Sequence, residues 1–160
     1  MRITTSKLSR LVACSLFSAT LVAGAAFAVA GNNVPFAGSA SGSVVDVVPV
    51  GSSLQLTILA SGQANQLGHF DRTETLLLDP ATGAVSGSIV FVAANQDELH
   101  VTFAGGFVSP TTAQGTYTVV GGTGRFADAS GSADFEAVSP DGVQVSVSFA
   151  GTLEGFGGQH

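Results

Sequence analysis

Residues 119–131 read VVGGTGRFADASG, and this stretch decides between a nucleotide-binding fold and an all-β fold. A strand followed by Gly121, Gly122 and Gly124 is the pattern of a loop that holds a phosphate. Such a loop works only when it opens a helix, because the helix N-terminus must face the pyrophosphate. Residues 130–138, SGSADFEAV, instead alternate polar and apolar residues, which indicates a strand. We therefore expect a glycine turn between two strands and no nucleotide site.

Eight segments of the chain predict strands, and almost none predicts a helix. These segments are rich in Val, Thr, Phe and Ile, the residues that favour a pleated sheet. In residues 143–150, VQVSVSFA, apolar residues alternate with small polar ones, so one face of the strand is apolar. The predicted strands are residues 36–48, 54–59, 70–78, 85–93, 98–105, 115–120, 133–138 and 143–153.

Short turns join the later strands. In DPATG at residues 79–83 and SPDG at residues 139–142, Pro stands where φ is fixed and Gly where φ must be positive, as in hairpins. The turns lie further apart than the ~8–12 residues typical of an immunoglobulin-type sandwich. A meander of eight strands loses its exposed edges by closing, and its interior is filled by side chains or holds one small ligand. The expected fold is an all-β, eight-stranded antiparallel up-and-down barrel.

Residues 1–30 have the pattern of an export signal. Three cations precede the apolar segment at residues 11–24, and two small-residue cleavage sites follow it. The apolar run is short for a membrane-spanning helix, which needs ~20 residues. Cys14 lies in a segment similar to a lipoprotein cleavage box, but that box opens the apolar run instead of following it. We expect cleavage between residues 28 and 33 and a secreted or periplasmic protein with one barrel domain, residues 31–160.

The mature chain expected after cleavage is strongly acidic. Its cations are Arg72 and Arg125 against eleven carboxylates, and two minus eleven gives a net charge of −9. Neither nucleic acid nor anionic lipid is an expected partner, since non-specific binding to both depends on clustered Lys and Arg. The mature chain has no cysteine, so the fold must rest on burial and not on disulfides. An outer-membrane barrel is disfavoured because no Trp and a single Tyr cannot form aromatic girdles.

Two motifs carry a resemblance to a known superfamily. GGTGRF at residues 121–126 resembles the GGTGRF segment of dirigent proteins, which share an eight-stranded antiparallel barrel with allene oxide cyclases. GQANQLGHF at residues 62–70 is similar to the GxATHLGRF stretch of bacterial proteins with an allene oxide cyclase-like barrel. It departs from that pattern at Asn65, Gln66 and His69. The two motifs occur in the order that the family has.

This resemblance covers most of residues 36–155 and implies a calycin-like barrel that works by confinement. Allene oxide cyclases and dirigent proteins bind a reactive, largely apolar intermediate and steer its ring closure or coupling without a cofactor. Such chemistry needs a dry, shaped cavity with one or two polar groups. Hydrolysis is disfavoured, because the chain has no GxSxG elbow and the mature chain has no cysteine nucleophile.

Four charged or titratable residues fall on one predicted strand. His69 and Asp71 share one face of it, and Arg72 and Glu74 share the other. We interpret Arg72 and Glu74 as a solvated outer face, since exposed charges need no function. His69 with Asp71 would then form an oriented imidazole at the barrel mouth, able to move protons near neutral pH.

Arg125 and Tyr117 are two further catalytic candidates beside His69 and Asp71. Arg125 follows three glycines, and either pairs with Asp128 or carbonyls of its own turn or grips an anionic or carbonyl-bearing ligand. Tyr117 is the only tyrosine, and is either a phenol that donates to a bound oxygen or a core ring.

A metal site is conceivable but not favoured. Glu98 and His100 share a strand face, and His69 would be the third ligand. The histidines have neither H-x-H nor HExxH spacing, and the mature chain offers no thiolate. Residues 95–97, between two predicted strands, fit a turn, because Asn and Asp tolerate the left-handed region. We expect neither a metal nor a cofactor.

Six side chains in the apolar registers are predicted either to line a ligand cavity or to fill the barrel: Leu56, Phe91, Phe103, Tyr117, Phe135 and Phe149. The first hypothesis is an exported barrel that binds a small hydrophobic molecule and directs its cyclisation or coupling. The alternative is a non-catalytic secreted binding or surface protein with a closed, packed barrel. The sequence does not specify the oligomeric state.

Overall fold

The computed structural model describes residues 33–156, and the expected signal sequence at residues 1–30 lies outside them. Within that range the only helix is a single 3-10 turn at Gly124–Phe126, and no helix has the length and apolar character needed to cross a bilayer. The strands are β1 (Val34–Val50), β2 (Ser53–Ala64), β3 (Gly68–Leu78), β4 (Ala84–Ala93), β5 (Glu98–Ser109), β6 (Thr112–Gly122), β7 (Ser130–Val138) and β8 (Gln144–Glu154).

The strands form one closed barrel in which each strand pairs antiparallel with its neighbours along the chain. The seam between β1 and β8 runs from the pair Val34 and Leu153 to the pair Ser43 and Gln144. The predicted all-β, eight-stranded up-and-down barrel is confirmed. Every predicted strand is present, and most of the differences are extensions at strand ends, because pairing with neighbouring strands includes residues of low intrinsic β-propensity such as Ala64.

The two ends of the barrel differ. At one end, here called the mouth, lie the turns at residues 51–52, 79–83, 110–111 and 139–143. At the other end, the base, the turns at residues 65–67, 94–97 and 123–129 fold over the interior. Leu67, Phe126 and Ala129 from these base turns are buried. The base is therefore closed by its own apolar side chains.

The glycine-rich stretch is a turn at the base, as expected. Gly121 has a φ of 117° and Gly124 a φ of 54°, conformations that residues with a Cβ rarely adopt. A Cβ on Gly122 would overlap the Glu98 carbonyl oxygen on the neighbouring strand. After the single 3-10 turn the chain enters β7 and not a long helix. The local geometry therefore lacks the helix N-terminus that a phosphate loop needs.

The predicted hairpins are also confirmed. Gly83 and Gly142 both have a φ of 73°, in the turns before β4 and β8. Residues 95–97 form the turn between β4 and β5, but the left-handed residue there is Gln96, with a φ of 71°. Asn95 instead accepts a bond from the Asp97 backbone N–H through its side-chain oxygen, which leaves the central position to Gln96.

The interior face of β3 is opposite to the one we predicted. Phe70, Arg72 and Glu74 are buried, whereas His69 and Asp71 are exposed. The interpretation of Arg72 and Glu74 as a solvated outer face is therefore wrong. Alternate residues of a barrel strand face the interior, and the set that faces inward is the one that contains the apolar side chains, because the interior must be dry. On β3 these are Phe70, Leu76 and Leu78, and the two charged residues lie between them.

Candidate functional site

The mouth half of the barrel encloses a cavity of about 290 Å³. This volume is near the lower limit of the about 300–1,000 Å³ that small-molecule sites occupy. Aliphatic and aromatic side chains from β1 to β8 and from the turns at the mouth form most of its wall: Val44, Leu56, Ile58, Leu76, Leu78, Val85, Phe103, Phe107, Pro110, Ala113, Phe135, Ala137, Pro140 and Val145.

The cavity stops at an aromatic cluster that fills the base half of the interior. The ring centroids of Phe36 and Phe149 lie 5.0 Å apart, and those of Phe70 and Phe91 lie 5.1 Å apart. These distances are typical of directly packed aromatic pairs. Nearer the mouth, the rings of Phe103, Phe107 and Phe135 stand in the cavity wall beside smaller side chains such as Val85 and Ala113.

The six predicted lining residues divide between these two halves. Leu56, Phe103, Tyr117 and Phe135 line the cavity. Phe91 and Phe149 do not line it, because they belong to the packed aromatic cluster below. Cavity lining and barrel filling, which the sequence left as alternatives, thus both occur at different heights of the same interior.

A buried ion pair lies in the cavity wall. Arg72 and Glu74 are each only 4% exposed, and Arg72 Nη2 donates to the Glu74 carboxylate. Arg72 Nη1 donates to the Tyr117 hydroxyl at 3.2 Å. The Arg72 guanidinium also lies 5.8 Å from the centre of the Phe91 ring, which suits a cation–π contact. All three residues contribute to the cavity wall, and we call Arg72, Glu74 and Tyr117 the polar cluster.

The polar cluster carries no net charge and presents hydrogen-bond donors. The positive charge of Arg72 is balanced by Glu74 at contact distance. Burial raises the pKa of the Tyr117 phenol, an effect that the charge and hydrogen bond of Arg72 only partly oppose. The phenol is therefore protonated at neutral pH, and its O–H can donate because its oxygen already accepts from Arg72. Arg72 Nε is buried and has no partner within residues 33–156.

His69 and Asp71 lie elsewhere, on the outer face of β3 near the base. Both side chains are exposed, so the structure does not bring them together with Tyr117 in the interior. The placement of an oriented imidazole at the barrel mouth is wrong. Because side chains alternate along β3, the arrangement that buries Arg72 also turns His69 outward.

Arg125 is also at the base. Its Nη2 donates to the carbonyl oxygen of Gln66, and its backbone N–H donates to the Asp97 carboxylate at 3.2 Å. The guanidinium lies 4.7 Å from the centre of the Phe126 ring. Arg125 thus ties three base turns together instead of pairing with Asp128 or facing the cavity. This geometry fits the structural alternative, with a partner that the sequence did not indicate.

Glu98 and His100 form a contact on the outer surface. His100 Nε2 lies 2.8 Å from Glu98 Oε2, and both side chains are about two-fifths exposed. Across residues 33–156, no group of three His, Cys, Asp or Glu side chains is placed to hold a metal ion.

Sequence reasoning missed Arg72 and Glu74 as site residues. They could have been found from their positions in the strand. Side chains alternate between the two faces of a strand, and Arg72 and Glu74 lie on the same face as Phe70, Leu76 and Leu78. A charged pair at positions i and i+2 inside an apolar register indicates a buried, paired site more than a solvated face.

Comparison with known proteins gives the fold and not the family. No family model matches this chain, and no curated protein does. Among solved structures, the barrel is similar to that of a pterocarpan synthase dirigent protein, with a TM-score of 0.59. The similarity covers 79% of this chain and 90% of that chain, at 13% sequence identity. The chain therefore has a dirigent-like, eight-stranded barrel fold.

Proposed function

We propose that the protein binds a small, largely apolar molecule in the cavity at the mouth, with one polar atom of the ligand against the polar cluster. The observation that carries this proposal is the apolar cavity of about 290 Å³ with Arg72, Glu74 and Tyr117 in its wall. Sites for small molecules are mostly apolar with a few placed polar groups, and this cavity has that composition.

The polar cluster favours a neutral ligand with an oxygen acceptor. An anionic ligand has to compete with Glu74 for Arg72, because the two residues already form an ion pair. The Tyr117 O–H and the unpartnered Arg72 Nε–H are the donors that a carbonyl, ether or hydroxyl oxygen can satisfy. A buried donor without a partner costs about 1–3 kcal/mol, so a ligand that accepts from it gains affinity.

We propose as a second step that the cavity steers cyclisation or coupling of this ligand without a cofactor. The Tyr117 O–H would donate a hydrogen bond to a ligand oxygen on which negative charge develops, while the bond from Arg72 holds the phenol in place. The dirigent-like fold supports this reading, since the similar solved structure is a pterocarpan synthase dirigent protein. The cavity favours this proposal over the packed-barrel alternative, which leaves no room for a ligand.

The ligand-binding proposal is tested by titration with a solvatochromic probe of fatty-acid size. We expect micromolar binding by the unaltered protein and its loss in Ala137→Trp, because Ala137 lines the cavity. Ala104→Trp is the matched control, since Ala104 is exposed on the outside of β5. Circular dichroism checks that both variants keep the fold. Absence of binding by the unaltered protein, or equal binding by Ala137→Trp, would contradict the proposal.

Export also belongs to this proposal, because the pattern of residues 1–30 is what supports it. We expect N-terminal sequencing of the folded protein to show cleavage between residues 28 and 33. Folded, soluble protein that retains Met1 would contradict export.

A further inference from the structure

We propose that the mouth of the barrel docks on a zwitterionic lipid surface, from which the cavity takes up or delivers its ligand. This inference rests on the proposed function for the ligand exchange. The docking itself rests on the distribution of apolar and charged side chains around the mouth.

Exposed apolar side chains are concentrated at the mouth. Within residues 33–156, ten large hydrophobic residues are exposed, and all but Leu59 and Val120 lie in the mouth half of the barrel. Such a concentration on one end of a protein marks an interaction surface, whereas scattered single residues do not. We call the outermost of these residues the mouth rim: Val47, Val48, Val50, Phe107, Val108 and Val143.

Part of the mouth rim is an arm that extends beyond the closed barrel. The last pair between β1 and β8 is Ser43 with Gln144, but β1 continues to pair with β2 as far as Val50 with Ser53. Side chains on both faces of residues 45–50 are therefore exposed. The exposed side chains of the arm are four valines, Pro49 and Asp46, so apolar side chains point in both directions from it.

The backbone of this arm is poorly suited to pairing with a strand of another protein. Pro49 has no N–H, and the register shifts between Val44 and Asp46. Proline and bulges at an edge strand are devices that prevent strand addition. The arm is therefore fitted to contact through its side chains, which favours a lipid surface over an added β-strand.

The charges at the mouth select the kind of lipid. Asp46, Asp79 and Asp141 lie around the mouth rim, while Arg72 is in the interior and Arg125 is at the base. Backbone N–H groups of Ala81 and Val143 donate to Asp79 and Asp141 at 2.9 Å and lower the pKa of each carboxyl. These carboxylates repel an anionic membrane, so a lipid surface that the mouth rim contacts must carry no net negative charge.

The apolar surface of the mouth rim continues into the cavity. Phe107 is exposed at the mouth and also forms part of the cavity wall, as does Pro110 in the adjacent turn. A ligand that moves from a lipid phase past these residues stays in contact with apolar surface. Exchange by this route avoids the free-energy cost of exposing the ligand to water.

The test is flotation of the folded protein, expressed from the full chain, with vesicles of phosphatidylcholine. We expect the unaltered protein to float with the vesicles and Val108→Asp to lose about tenfold in binding, because membrane affinity scales with buried apolar area. Val120→Asp is the matched control, since Val108 is 62% exposed at the mouth and Val120 is 59% exposed towards the base. Added phosphatidylserine should weaken binding.

Three results would overturn docking: no flotation of the unaltered protein, equal loss in Val120→Asp, or stronger binding with phosphatidylserine. So would a dimer that Val108→Asp dissociates without loss of flotation, because the rim would then be an interface between copies. Probe uptake in lipid-free solution separates the two proposals, since Val108 does not line the cavity. Docking without probe uptake would support the lipid-docking surface and overturn the proposed ligand binding. Probe uptake without docking would support ligand binding and overturn lipid docking.

Discussion

Arg72 on β3 donates a hydrogen bond to the hydroxyl of Tyr117 on β6, at 3.2 Å, across the interior of the barrel. The two strands are not neighbours, because β4 and β5 lie between them. The bond therefore joins opposite parts of the wall and fixes both side chains beside the cavity. Its donor is in turn held by Glu74, two residues along the same strand.

Replacement of Glu74 by Gln should destabilise the fold. The substitution keeps the shape but leaves the Arg72 charge buried and uncompensated, and losing one member of a buried ion pair costs about 3 kcal/mol or more. Chemical denaturation measures the change in free energy of unfolding. Glu136→Gln is the control and should change stability by less than about 0.5 kcal/mol, because Glu136 is an exposed residue bonded to Gln114. Equal stability of both variants would show that the Arg72 charge does not depend on Glu74.

Removal of the Tyr117 hydroxyl should separate two kinds of ligand. In Tyr117→Phe, a carbonyl-bearing probe should lose about 1 kcal/mol or more of binding free energy, because a hydrogen bond in a dry site is lost. A hydrocarbon of the same size should bind as before. Calorimetric titration of both ligands into both proteins gives the comparison. Parallel loss for the two ligands would mean that the substitution alters the shape of the cavity instead.

Alkaline pH should weaken the fold through Tyr117. Burial raises the pKa of this phenol in the folded state. The folded state thus holds the proton more tightly than the unfolded state, so this contribution to stability is complete below the unfolded pKa of about 10. It is lost as the pH rises from there through the folded pKa. Phenolate absorbance follows this one group, since the chain has one Tyr and no Trp. Tyr117→Phe should show a weaker decline in stability over the same pH range.

Alanine at Gly124 should cost on the order of 1 kcal/mol or more of stability. Gly124 has a φ of 54°, and a Cβ there would overlap the Asp97 carboxylate that holds the Arg125 backbone. Gly51→Ala serves as the comparison, because Gly51 has a φ of 61° but nothing within 4 Å of an added Cβ. Thermal unfolding of both variants separates backbone strain from the overlap. A smaller loss in Gly124→Ala than in Gly51→Ala would rule out the overlap as a cause.

Local sequence patterns were sufficient to predict the strands, their order and the turns of this barrel. Alternation and turn chemistry act over a few residues, and both are visible at 143–150 and 139–142. Closure into a barrel, which the structure shows, followed from the eight-strand meander, and the resemblance of residues 121–126 to dirigent proteins implied the same architecture.

The candidate site was less predictable, because it depends on relations between strands. Phe91 and Phe103 have the same apolar pattern, yet one is packed in the base half and the other lines the cavity. That difference depends on where each residue lies along the barrel axis, between the base and the mouth. The stagger between strands sets this position, and no local pattern specifies it. Arg72 and Glu74 were misplaced for another reason. We placed them outside because they are charged, although they lie on the same face of β3 as its apolar residues.

Closure of the barrel by β1 and β8 also has a kinetic consequence. Seven of the eight strand pairs are hairpins between neighbours in the chain, but the seam joins Val34 to Leu153. Its formation carries the largest loop-closure entropy, so we expect this seam to set the refolding rate. A circular permutant that links residues 33 and 156 and opens the chain at the exposed turn after Val50 makes the β1–β8 pair a local hairpin and makes the β1–β2 pair the seam instead. Because each chain then has one seam of similar span, we expect the permutant to refold at a rate similar to that of the unaltered protein. Much faster refolding would show that the β1–β8 pair limits the rate for a reason other than loop closure.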